Sequence, residues 1–177
     1  MKSTSNSMSN SKRECIIERV SFEVVLPVWQ SELWPGRRSP IEPTSAMRWL
    51  GGIEMNLMKE KPTFWLARDP QRPIIRLGVL SGHRGGAFAD GTQIYRIRGL
   101  WVAPEERRSG VARRLIEAAV AQAQLEKCQA VWTFPRRDSL PFYESVGFKK
   151  QGDWIEDKTA AEFGPNCFAL LTLPQSS

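Results

Sequence analysis

Apolar positions along the 177-residue chain change their period several times, and each change predicts an element. ECIIER (14–19) reads as a short first strand. From about Ser21 to Trp34, the residues Phe22, Val25, Trp29 and Leu33 recur at helical spacing, with Pro27 blurring the start. WPGRRSPIEP (34–43) is a loop broken by proline and glycine. A short helix is expected after it, around Ser45 to Leu50, with a continuation past Gly51-Gly52 toward Met58 left open. TFWLAR (63–68), the turn DPQRP and IIRLGVLSGH (74–83) predict a hairpin. The loop GGAFADGT leads to the strand QIYRIRGLWV (93–102). Gly110 to Glu126 is the strongest helix, with Val111, Leu115, Ala118, Ala119 and Ala123 along one face. AVWTF (130–134) is a strand, SLPFYESVG a helix stopped by Gly147, and the remainder, including NCFALLTL (166–173), closing strands.

This order gives an α+β or α/β domain around one mixed sheet, with a strand–helix–strand crossover at its centre. The length suits one well-buried domain and is short for two. It is expected to span residues 14–177, after a polar, Ser/Asn-rich tail over residues 1–13 that is expected to be disordered. That tail has no apolar core of the kind a secretory signal needs, and no stretch is apolar for long enough to span a bilayer. Cys15, Cys128 and Cys167 are far apart and lack metal spacing, which predicts reduced thiols in a cytoplasmic protein and no metal site.

Charge narrows the partner. The chain carries +6 at neutral pH, and 17 of its 25 basic residues are arginine. That preference favours two-pronged recognition of phosphate or carboxylate. The excess alone does not separate a nucleic acid from a small anionic ligand. No long lysine run or repeated basic-aromatic unit favours the nucleic acid.

The densest basic stretch is RIRGLWVAPEERRSGVARRLI (96–116). A helix starting near residue 108 leaves its first amides without internal partners and directs its positive dipole end outward. A glycine there lets several amides approach one anion, while Arg107, Arg108, Arg113 and Arg114 add full charges. Such a loop holds a phosphate or pyrophosphate. A solvated basic helix start with Gly110 present by chance has the same local sequence.

The wider pattern resembles the GNAT superfamily of N-acetyltransferases. Its motif A, a strand ending in an apolar residue and often proline followed by Gln/Arg-x-x-Gly-x-Gly/Ala, is matched by Val102-Ala103-Pro104 and Arg107-Arg108-Ser109-Gly110-Val111-Ala112. FYESVGF (142–148) resembles the family's Tyr-Glu-x-x-Gly-Phe block. The order of elements also fits, so the resemblance covers about residues 14–173. It implies a single domain with a mixed, mostly antiparallel sheet of six to seven strands, splayed in the middle and flanked by about four helices. It also implies acetyl-CoA as co-substrate and no metal. The backbone of Leu100, Trp101 and Val102 would pair with the pantetheine arm, and the amides of residues 107–113, through Arg113, would hold the pyrophosphate. Gly99 is where a β-bulge would help open the splay.

Direct acetyl transfer needs a neutral amine, a polarised thioester and a proton for the leaving thiolate. Tyr143 lies where the family has its general acid, and the amide near Val102 could polarise the thioester carbonyl. Packing on an amphipathic helix is the plainer role for Tyr143. Many relatives carry a glutamate as base on the strand before motif A, but Arg96 and Arg98 stand there. The sole histidine, His83, is the candidate base, with Glu42, Glu54 or a water chain as alternatives. In the family the acceptor lies between the loop joining the first two helices and the strands beyond the splay. Arg37 and Arg38 would reach it from one side, Arg136 and Arg137 from the other, with Arg96 and Arg98 on the floor. Trp34, Trp49, Trp101 and Trp132 would wall it, unless they simply build core.

The resemblance implies N-acetylation of a small-molecule or peptide amine by a monomer or homodimer, and the arginines favour an acidic small amine. A nucleic-acid-binding module on the same fold and a degenerate CoA-binding sensor are the competing readings.

Overall fold

The computed structural model describes residues 14–38, 41, 61–156 and 165–174. The strands are Ile16–Val20 (β1), Thr63–Arg68 (β2), Arg76–Ala87 (β3), Gln93–Val102 (β4), Ala130–Thr133 (β5), Lys149–Ile155 (β6) and Asn166–Thr172 (β7). They form one sheet in the order β1-β2-β3-β4-β5-β7-β6. Every pairing is antiparallel except that of β4 with β5. The described helices are Phe22–Val28 (α1), which runs on as a π-helical turn over Trp29–Leu33, then Val111–Leu125 (α2) and Leu140–Ser145 (α3), with a 3₁₀ turn at Pro104–Glu106. The helix expected around Ser45, the N-terminal tail, Trp49, Glu42 and Glu54 lie outside the described residues. Among the described residues no helix is long and apolar enough to cross a membrane, and no group of three or more His, Cys, Asp or Glu side chains is arranged to hold a metal.

Two layers cover the sheet. Alternation along β4 sends Tyr95 and Ile97 into the larger core, with Leu115, Ile116 and Ala119 of α2 and Val131 of β5. On α2 it is Ile116 that is buried, while Ala118 of the expected stripe is half-buried. The opposite face carries a smaller core of Val25, Val28, Trp29, Phe64, Leu66 and Val79 beneath α1. Arg96 and Arg98 lie on this second face, Arg98 within 5.8 Å of the Trp34 ring. All three cysteines are free and buried.

Two irregularities open β4 along one side. Val79 pairs with Trp101 and Ser81 with Arg98, so Gly99 and Leu100 both stand opposite Leu80 in a bulge. Gly99 has φ +68°, and a β-carbon on it would lie 2.5 Å from the Trp29 ring. The Trp29 Nε1–H donates to its carbonyl oxygen at 3.2 Å. Secondly, β4 pairs with β5 only over Ile94–Arg96, against Ala130–Trp132, although β4 continues to Val102. Past Arg96 the two strands part, which is the expected splay.

Candidate active site

The open part of β4 leads through Pro104–Glu106 into the loop before α2. Glu106 ties this corner together: its N–H donates to the Ala103 carbonyl at 2.8 Å, and its own carbonyl accepts the Ser109 hydroxyl at 2.6 Å. Arg108 has φ +65° and Gly110 has φ +95°. These left-handed residues turn the chain sharply into the helix, and Gly110 is the residue that takes such a φ without strain. Within α2 the Arg114 N–H donates to the Gly110 carbonyl at 3.2 Å. The amides of Gly110, Val111, Ala112 and Arg113 therefore precede the helical ladder and have no partner one turn back within it. A β-carbon at Gly110 would meet nothing within 4 Å. Arg107, Arg108 and Arg114 are exposed around this opening. Open space, unladdered amides and exposed positive charge suit an anion with several oxygens. Arg113 instead donates to the Ser145 carbonyl at 3.0 Å, pinning α3 to the start of α2.

Tyr143 of α3 is buried, its ring edge-on to Phe148 at 5.4 Å. Burial pushes its hydroxyl up to about 12, against a hydrogen bond with the Thr133 side chain that pulls the other way. Thr133 ends β5, where β4 has already diverged. The phenol thus sits on the α2 side of the splay and stays protonated through the neutral range. No sequence motif points to Thr133. Only the strand-end position, one residue past the last β4–β5 pair, marks it.

The opposite face holds the other candidates. His83 does not end its strand: β3 continues to Ala87, and His83 lies within it, paired with Arg96. The two residues are each 2% exposed. Burial, with the Arg96 and Arg98 charges behind it, lowers His83 to about 3, so the imidazole is neutral at ordinary pH and a weak proton acceptor. Burial and Arg98 lower Arg96 to about 9, and burial and Arg37 lower Arg98 to about 10. The Arg96 guanidinium lies over the Trp132 ring at 4.7 Å.

Arg37, exposed, lies over Trp34 at 5.3 Å, so Arg37 and Arg98 share one indole. Arg38 is exposed beside them. Across the splay, Arg136 is exposed and bridges to Asn166 of β7. Arg137 belongs with β6 instead, 3.3 Å from Glu156 and over the Trp154 ring at 4.8 Å. The structure therefore gathers Arg37, Arg96 and Arg98 on one face and directs Arg137 away from them. Trp132 is core, while Trp34 and Trp101 are half-buried.

Comparison with known proteins agrees with this architecture. Residues 60–150, just over half of the chain, match the family model described as an acetyltransferase (GNAT) domain. No curated protein matches the chain in sequence. Among solved structures, the NatC complex bound to Gag peptide and CoA is similar at 17% identity and a TM-score of 0.65, over 91% of this chain and 99% of that one. Ard1 from Thermoplasma volcanium is similar at 14% identity and a TM-score of 0.63, over 91% and 99%. A GNAT-family acetyltransferase from Staphylococcus aureus Mu50 is 13% identical, with a TM-score of 0.57 over 91% and 100%. At such identities the likeness is one of fold.

Proposed function

The chain belongs to the GNAT acetyltransferase family, and we propose that it moves an acetyl group from acetyl-CoA directly to a primary amine. The observation that carries this reading is the alignment of three features. The part of β4 that is unpaired on its β5 side leads through the Pro104–Glu106 turn to the amide-rich start of α2, and Tyr143 stands beside the strands' point of divergence. Val102 and its neighbours Leu100 and Trp101 offer backbone to an extended thiol arm, and residues 107–112 offer amides and charge to a pyrophosphate. The amine nitrogen attacks the thioester carbonyl, the carbon–sulfur bond breaks, and the leaving thiolate takes the Tyr143 proton. The proton shed by the amine passes to water, since His83 is held neutral by burial and has little basicity to offer, and water returns a proton to the Tyr143 oxygen.

Support for an acidic small amine comes from Arg37 and Arg98 about one indole, with Arg136 across the groove. Exposed arginines at the α2 start keep a nucleic-acid partner as a competing outcome, and the arginines on β4 keep a CoA-sensing role as another. The test is thiol release from acetyl-CoA with an amine panel, alongside the melting temperature with CoA. A rise with CoA and amine-dependent thiol release support the enzyme. A rise without release supports the sensor, and salt-sensitive DNA binding with no CoA response supports the nucleic-acid reading.

A further inference from the structure

One charged group has no part in acetyl transfer as derived from Tyr143 and the α2 start. Arg96 and His83 face each other across β3 and β4, both 2% exposed. Nε and Nη1 of Arg96 and Nε2 of His83 are buried and have no hydrogen-bond partner among the described residues. Among the described residues, the charges acting on His83 are those of Arg96 and Arg98, and the charge acting on Arg96 is that of Arg98. A buried cation with unused N–H groups carries a large desolvation penalty. The neighbours hold it in place despite that. Trp132 lies under the guanidinium at 4.7 Å, and its own Nε1–H is fixed to the Gly85 carbonyl at 2.7 Å. A β-carbon at residue 85 would come within 2.8 Å of the His83 ring, so glycine there leaves the imidazole its position. A rigid planar guanidinium beside a neutral imidazole N–H donor is the chemistry of a carboxylate site.

Resting on the acetyltransferase reading, we propose that His83 and Arg96 form a carboxylate-binding subsite for the acceptor amine, on the face of the sheet opposite α2. The anion it takes is not the cofactor's pyrophosphate. Arg96 precedes Val102 by six strand residues, on the order of 20 Å, and the loop lies further still. The acceptor is therefore an amino acid or similar amine whose carboxylate is read at Arg96 while its nitrogen stands where β4 and β5 part, immediately past that residue and well short of Val102.

The probes are glutarate, its neutral diamide and chloride at constant ionic strength, read by tryptophan fluorescence and melting temperature on the full chain. The chain has seven tryptophans, so the local signal is the part of the emission change that Trp132→Phe removes. Glutarate should shift emission saturably and raise the melting temperature, and the other two should not. Arg96→Met should weaken glutarate at least ~10-fold, as expected for a lost charge-assisted contact. In the absence of ligand it should melt no lower than the parent, because an unpaired buried charge has gone. A merely structural arginine would give the opposite pair of results. His83→Gln, which introduces no charge, should weaken glutarate several-fold and serves if Arg96→Met fails to fold. Equal responses to glutarate and chloride, or unchanged glutarate affinity in both variants, would overturn the subsite. CoA binding is followed separately in each variant. Its absence from the parent would remove the acetyltransferase reading while the glutarate titration still decides this one. In turnover, 4-aminobutyrate should exceed its amide in the parent, and Arg96→Met should erase that preference.

Discussion

Two sets of arginines, on one continuous strand–loop–helix segment, live under opposite physics. Arg107, Arg108 and Arg114 stand in solvent around the start of α2. Their charges need no desolvation, reorient freely and are screened by salt within about 8–10 Å. Arg96 is enclosed between His83 and Trp132, and its charge is opposed by burial and by Arg98. The first set suits a ligand that arrives with several charges and is held mainly by backbone amides. The second suits one anion of fixed shape, because a buried guanidinium rejects whatever leaves it unpaired. Arginine content alone therefore says little about recognition, since burial decides whether the residue attracts or selects.

The contrast can be tested from its largest consequence downward. Tyr143 belongs to neither set, so Tyr143→Phe should lower turnover ~10²-fold or more while leaving CoA and glutarate affinities unchanged. Stopped assays on the parent and mutant, with CoA titrations beside them, check this, and unaltered turnover would return Tyr143 to a packing role.

A second consequence concerns acid stability on the buried side. The unfolded chain protonates His83 near pH 6.5, whereas the folded chain resists until about 3. Across that window the unfolded state binds more protons, so stability should fall as pH drops through it. Integrated over the whole window, the loss is on the order of 5 kcal/mol. Denaturant melts of His83→Gln should show a flatter pH profile than the parent between those values.

Salt separates the two sets further. Replacing Arg107 and Arg108 together by alanine should weaken CoA ~10-fold at low ionic strength, with most of that difference gone by about 0.5 M salt. The glutarate preference conferred by Arg96 should persist there, since buried contacts are poorly screened. Calorimetric titrations at two salt concentrations decide it.

The smallest effect isolates the amide cradle. Gly110 and Gly91 have φ +95° and +84°, and a β-carbon on either would meet nothing within 4 Å. Alanine at each should cost about 1–2 kcal/mol of stability through the same backbone strain. Only Gly110→Ala should also weaken CoA, by a few-fold. Equal CoA affinities in the two mutants would disconnect the turn from anion holding.

Much of the fold is legible in the sequence because it rests on local signals. Alternation in TFWLAR and QIYRIRGLWV marks β2 and β4 at their observed limits, and Gly147, at φ +96°, follows α3 as expected. Gly99, alone among β-branched, aromatic and charged neighbours, announces the bulge. Other features depend on contacts distant in sequence. Nothing local in VLSGHRGGA shows that β3 continues through its glycines, because that continuation depends on pairing with β4. For the same reason His83 reads as a strand-end base in sequence and lies as an enclosed neighbour of Arg96 in the fold. Arg137 looks equivalent to Arg136 until Glu156 and Trp154, nearly twenty positions later, come alongside it.

The short pairing of β4 with β5 has a consequence in time as well as in space. Three residue pairs join a meander of β2, β3 and β4, built by neighbouring hairpins, to a second half in which β5 pairs with β7 from more than thirty residues away. Local hairpins close quickly, whereas the parallel crossover through α2 must wait for a longer loop to close. The meander is thus the natural first unit to form, and the later half docks along a narrow seam. Amide exchange should find that seam among the earliest places to open, at the line where the two halves of the candidate active-site groove meet.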